Sequence, residues 1–197
     1  MKFNDLIRDM ERFAKKENVP IMQKESLNYL ISFIKQHNIK SVLEVGTAIG
    51  YSTILIKEAV NNITSIERDE ERYNIAVKNV ELSNLNNITL IKGDALDITI
   101  TDKFDLIFID AAKGKNKEFV DKFKSNLNEN GYIIIDNMDF HGLVGKSMTI
   151  EKRRLRSLVK KIENFIKYME EQTEFKVTKI DKGDGLYLLE RLTIKSQ

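Results

Sequence analysis

The residues able to do chemistry in this 197-residue chain gather in a few short clusters, each following an apolar run. The first is Glu44-Val45-Gly46-Thr47-Ala48-Ile49-Gly50, a turn with paired glycines. A dinucleotide turn needs a middle glycine so that the backbone can approach a pyrophosphate, and here Ala48 holds that place. The spacing suits a ligand without a pyrophosphate, or an ordinary strand-to-helix turn. Glu67 follows Gly50 by 17 residues, near the ~20 at which a carboxylate holds ribose hydroxyls. Taken singly it also fits a solvated strand-end acid. Gly93-Asp94-Ala95 is a third polar cluster, suited to an adenine amino group.

Two further clusters point to a cation. Asp110-Ala111-Ala112-Lys113 follows FDLIFI, and Asp136-Asn137 follows YIII. Alone, Asp110 reads as a helix cap and Asp136-Asn137 as a turn. Together they offer three oxygen ligands, a set that suits Mg²⁺ or Mn²⁺. Lys113 alone reads as a solvated lysine. Residues 146–161 carry seven Lys or Arg and one Glu. This stretch is either a solvated helix face or a patch for phosphates.

These clusters need elements to position them. Short β-rich runs at 41–45, 63–67, 88–91, 104–110 and 132–136 alternate with helical patterns at 51–60, 69–83 and 117–127. Such alternation predicts a parallel sheet with helices on both faces, whose strand ends carry the ligand site. Residues 21–36 form an amphipathic helix preceded by Pro20, within an N-terminal helical segment over 1–38. A long helix over 150–171 then leads into two strand-like runs, 175–180 and 186–192, joined by Gly183-Asp184-Gly185. These predict an antiparallel hairpin at the sheet edge.

Composition narrows the function. The 32 Lys and Arg nearly balance 30 Asp and Glu, which excludes a histone-like polycation. There is no cysteine, so Cys-based zinc sites and thiol nucleophiles are excluded, and His37 and His141, the only histidines, argue against a multi-histidine metal site. No apolar run approaches the ~20 residues of a membrane span. The start lacks the apolar core of a secretory signal, so the chain reads as soluble and cytoplasmic. One proline and nine glycines leave no flexible linker, and residues 1–197 read as a single domain.

The ordered set LEVGTAIGYS, Glu67, FDLIFIDAAK, GYIIIDN and GDGLYLL resembles the cation-dependent class I O-methyltransferases of the catechol and caffeoyl-coenzyme A type. The resemblance runs from about Pro20 to Leu192. Within that family the chain is most similar to the bacterial branch acting on 5-hydroxyuridine at the tRNA wobble position. The resemblance implies a Rossmann-like fold with a seven-stranded, mostly parallel sheet, and S-adenosylmethionine (SAM) as cofactor. It implies that Glu44, Gly46 and Gly50 belong to the cofactor turn and that Ser52 holds the methionine carboxylate. Glu67 would take the ribose, Asp94 and Ala95 the adenine, and Met22 would pack nearby. Asp110, Asp136 and Asn137 would ligate the cation, Asp110 would also meet the methionine amino group, and Lys113 would sit beside the acceptor oxygen. A homodimer is implied as well. Ala111-Ala112 stands where the catechol enzymes have His-Trp, and the chain has no tryptophan. That favours a larger acceptor such as tRNA, contacted by the basic helix over 152–161, with a small catechol-like molecule as the alternative.

Overall fold

In the computed structural model, which describes residues 2–192, seven strands form one sheet. They are β1 (Ser41–Val45), β2 (Asn62–Glu67), β3 (Ile88–Lys92), β4 (Phe104–Ile109), β5 (Leu127–Ile135), β6 (Phe175–Ile180) and β7 (Leu186–Arg191). Their order is β3-β2-β1-β4-β5-β7-β6. The first five are parallel, and β7 runs antiparallel to both β5 and β6. This is the expected α/β arrangement with its C-terminal hairpin. Met1 and residues 193–197, part of the span read as one domain, lie outside the described residues.

Alternation along the central strands separates two cores. Val42, Leu106, Phe108 and Ile134 face one side and pack with α1 (Phe3–Lys16), α2 (Lys24–Gln36) and α3 (Tyr51–Lys57). Leu43, Val45, Ile107, Ile109, Ile133 and Ile135 face the other, against α5 (Asn116–Phe123) and α6 (Arg153–Glu171). Because both faces are covered, the stretch of β4 after Asp105 and the end of β5 read as apolar runs. In α1, Leu6, Met10 and Ala14 recur every four residues and are buried. α4 (Glu70–Ser83) begins at Asp69, whose side chain accepts the Arg72 N–H.

Several boundaries differ from expectation: the helix expected over 51–60 ends at Lys57, and the one expected from 150 begins at Arg153. The helix predicted from residue 21 begins at Lys24, and Pro20 to Gln23 run without regular structure into the site. The helix predicted through 127 ends at Phe123, because a 3₁₀ turn follows and Asn126 donates to the carbonyls of Ile100 and Asp102. β5 therefore starts at Leu127, five residues early, with a register irregularity between Phe104 and Leu106. The polar run Asn128-Glu129-Asn130 hides this half of the strand from a hydrophobicity pattern.

Candidate active site

A cavity of about 420 Å³ opens at the carboxyl ends of the strands. All five parallel strands contribute their following residues: Gly46 to Ala48, Glu67 and Arg68, Gly93 to Ala95, Asp110 to Lys113, and Asn137 with Phe140 and His141. Strand order reverses between β1 and β4, and ligands of open α/β sheets bind at such a point.

The glycine turn is shaped by that reversal. Gly46 has φ +108°, and a Cβ there would stand 2.2 Å from the Asp110 carbonyl oxygen. Only glycine lets the turn after β1 pass so close to the turn after β4. Glu67 ties the turn to β2: its Oε2 accepts the Ala48 N–H at 2.7 Å and its Oε1 the Asp69 N–H at 2.8 Å. Each oxygen retains a lone pair for a ligand hydroxyl. Asp94 accepts the Leu96 N–H at 2.9 Å, and Ala95 is buried in the wall beside it. Met22 and Pro20 close the cavity from the N-terminal segment.

The structure moves two residues of the expected cofactor set out of the cavity. Glu44 lies fully buried beneath the turn, where hydroxyls of Ser52, Thr53 and Ser65 donate to its carboxylate. It is positioned to hold the turn and start of α3 together, not to touch a ligand. Burial pushes its pKa up, against the pull of those hydroxyls. Gly50 caps α3 with φ +86° and packs on Ala76 of α4 rather than lining the cavity. Ser52 does line it, but its hydroxyl is committed to Glu44 at 2.6 Å. What Ser52 offers an anion is its backbone N–H in the first turn of α3.

At the opposite wall, Asp110 Oδ1 accepts from Lys113 Nζ at 2.6 Å and from Asn137 Nδ2 at 3.1 Å. Asp136 lies one layer deeper, 2% exposed, with its Oδ1 on the Asn137 N–H at 2.7 Å. Burial, and then the Asp110 charge, push the Asp136 carboxyl up to about 7. A hard cation fits this donor set. Lys113 pairs with Asp110 and not with the neighbouring Asp136, and Asn137 adds an amide oxygen. No cluster of three His, Cys, Asp or Glu suited to a metal occurs among the described residues, so such a seat needs the amide and water to complete it.

Residues not singled out from sequence also form the walls. Tyr51 is buried and donates to Glu11 at 2.8 Å, tying α1 to the site. Arg68 and Arg72 line the Glu67 end, while Phe140 and His141 line the Asn137 end. Aromatic residues just past an apolar strand were the available signal for the latter.

The model of the O-methyltransferase family matches residues 2–192. A caffeoyl-CoA O-methyltransferase of Populus kitakamiensis is 30% identical over 176 residues, covering 83% of this chain and 75% of that one. A Saccharolobus solfataricus protein, provisionally named a decarboxylating cobalt-precorrin-6B C(15)-methyltransferase, is 33% identical over 130 residues. That match spans 63% of this chain and 65% of the relative, just under two thirds of its length. A crystal structure of a Staphylococcus aureus protein, provisionally named a caffeoyl-CoA O-methyltransferase, superposes with TM-score 0.88 at 30% identity, covering 94% of this chain and 91% of that one. The chain belongs to the O-methyltransferase family and is a SAM-dependent O-methyltransferase with the Rossmann-like fold of that class. No helix among the described residues is long and apolar enough to cross a membrane.

Proposed function

We propose that the chain methylates a hydroxyl of a small acceptor carrying two neighbouring oxygens, as a catechol does, with Mg²⁺ or Mn²⁺ held by Asp110, Asp136 and Asn137. The observation behind this is the cluster of Asp110, Lys113 and Asn137 on the cavity wall, with Asp136 beneath it. When bound, SAM supplies an electrophilic methyl group and a divalent cation lowers the pKa of an acceptor hydroxyl. The chain's own part is mainly alignment. Glu67, braced by two backbone N–H groups, would hold the ribose, and Asp94 and Ala95 would border the adenine. Lys113, tied to Asp110, would stand beside the acceptor oxygen, and it would take the acceptor's proton only as the neutral amine, a form favoured once a bound cation draws Asp110 away from it. Methyl transfer from labelled SAM to pyrocatechol, with Mg²⁺ or with EDTA, tests this. Transfer is expected only with the metal, and transfer indifferent to EDTA overturns the cation's role.

A second reading has its own support. Arg153, Arg154 and Lys161 line a shallow hollow on α6, and none has a carboxylate partner among the described residues. The Lys161 stem packs against the position of Gly114, in the loop that carries Lys113. A phosphate-bearing acceptor, including a tRNA with 5-hydroxyuridine at the wobble position, would meet those cations. Its turnover would fall steeply with salt, whereas that of a neutral catechol would not. A homodimer is proposed on the family resemblance, and sedimentation of the purified chain tests it.

A further inference from the structure

His141 and Asp184 form a pair that the methyl-transfer chemistry above leaves unused. Asp184 lies in the turn between β6 and β7 and is 7% exposed. Its Oδ1 accepts the His141 backbone N–H at 2.6 Å. Its Oδ2 is buried and has no hydrogen bond, yet it stands 3.4 Å from His141 Nδ1. A buried carboxylate oxygen without a donor is unfavourable, and the neighbouring imidazole N–H is the group able to satisfy it. At 3.4 Å the two atoms stand a few tenths of an ångström beyond an ordinary hydrogen bond, so the ring must close as well as turn to make it.

The backbone holds this pair in place. Met138 and Asp139 donate to the carbonyls of Gly185 and Asp184 at 2.9 and 2.8 Å, docking the hairpin turn on the loop after β5. A Cβ at Gly185, where φ is +79°, would stand 3.0 Å from Asp139. Phe140 and His141 both take positive φ, +46° and +57°, a conformation that costs energy for side chains of their size. Both line the cavity beside Asn137. The loop thus carries Phe140 and His141 to the wall of the cavity that Asp110 and Lys113 also line, with the His141 side chain 71% exposed at its rim.

We propose that His141 is an acceptor-binding residue and that Asp184 is the positioning residue that sets its tautomer. With Nδ1–H given to Asp184, Nε2 is left as a hydrogen-bond acceptor at the cavity rim. It suits a hydroxyl proton of the acceptor, while Phe140 offers an apolar face. The inference rests on the small hydroxylated acceptor proposed above.

The test uses the full chain loaded with S-adenosylhomocysteine and Mg²⁺, so that no turnover is needed. Nitrogen-15 NMR of the histidine rings is expected to show His141 as the Nδ1–H tautomer, with Asp184→Asn shifting it toward Nε2–H. Added pyrocatechol is expected to move the His141 Nε2 resonance. In turnover with SAM, His141→Ala should raise the pyrocatechol KM about tenfold, the size of one lost hydrogen bond, with kcat within about twofold and SAM affinity unchanged. The double variant should be no worse than His141→Ala alone. An Nε2–H tautomer in the wild type, an unmoved Nε2 resonance, or an unchanged KM in His141→Ala overturns the proposal. An unchanged KM would leave Asp184 as a brace for the main chain. Absence of turnover in the wild type counts against the acceptor chemistry instead, and the NMR measurements still decide the pair.

Discussion

Replacing Gly46 by alanine separates two costs that the fold combines at the turn after β1. The backbone there has φ +108°, and a conformation so poorly suited to a side chain costs about 1–3 kcal/mol. The added Cβ would also meet the Asp110 carbonyl oxygen at 2.2 Å and its carbon at 2.8 Å. Both are backbone atoms of a central strand end, so no rotamer change relieves the clash. Overpacking of this kind adds about 1–3 kcal/mol. Gly50→Ala is the control, because φ is +86° but the new Cβ would meet Ala76 at an ordinary 3.5 Å. It should carry the conformational cost alone. At about 2–4 °C per kcal/mol for a chain of this size, Gly46→Ala should lower Tm by roughly 4–24 °C, and Gly50→Ala, with the conformational cost alone, by roughly 2–12 °C. Urea unfolding followed by circular dichroism gives the free energies. Calorimetric titration with SAM should show at least a tenfold loss for Gly46→Ala, since the collision displaces Ala48 in one turn or Asp110 in the other. Equal destabilisation in the two variants would refute the argument that the β1 and β4 turns collide without glycine.

Asp110→Ala should lower methyl transfer roughly a hundredfold or more with the fold intact, and retained full activity would remove Asp110 from the cation seat. Mg²⁺ at about 100 times its dissociation constant should stabilise the wild type by about 2.7 kcal/mol, seen as a higher Tm, and Asp136→Asn should lose most of that gain. Glu67→Gln should weaken SAM binding about tenfold or more in calorimetry, because the loss of charge affects ribose and turn together. Glu44→Gln should change the dependence of stability on pH. Burial raises the Glu44 pKa in the folded state, so the wild type is favoured below the unfolded value near 4.5 and loses stability as pH rises toward the folded value. Relative to the wild type, the glutamine variant should therefore gain stability over that rise, and parallel urea midpoints at low and neutral pH would contradict it.

What the sequence could reveal follows from which residues carry local signals. The parallel strands were legible because covering both faces demands apolar runs such as FDLIFI, and their ends were legible because polarity returns there abruptly. Asp110, Asn137, Glu67 and Asp94 line the cavity for that reason. Glu44 misled because a carboxylate beside a ligand turn looks the same whether it faces the ligand or lies beneath it. The three hydroxyls that absorb it come from β2 and α3. The first half of β5 escaped because Gly131 and three polar residues carry no strand pattern, and pairing with β4 overrides their preference.

Gly-Asp-Gly shows the remaining limit most clearly. Its glycines announce a turn, and Asp184 fits a turn as a solvated residue. Its burial arises because the turn docks onto residues 43 positions earlier in the chain, where His141 donates its N–H. Once docked, the carboxylate cannot be ordinary turn chemistry: one oxygen fixes a strained backbone and the other faces a ring at the cavity rim. The hairpin therefore does more than extend the sheet. By inserting β7 beside β5, it carries a carboxyl side chain to the back of the loop that borders the Asn137 end of the cavity. An antiparallel strand at this position is what allows the turn to reach the carboxyl ends of the parallel strands. β7 is the one antiparallel strand, and its two antiparallel pairings, with β5 and with β6, set the turn at that end of the sheet.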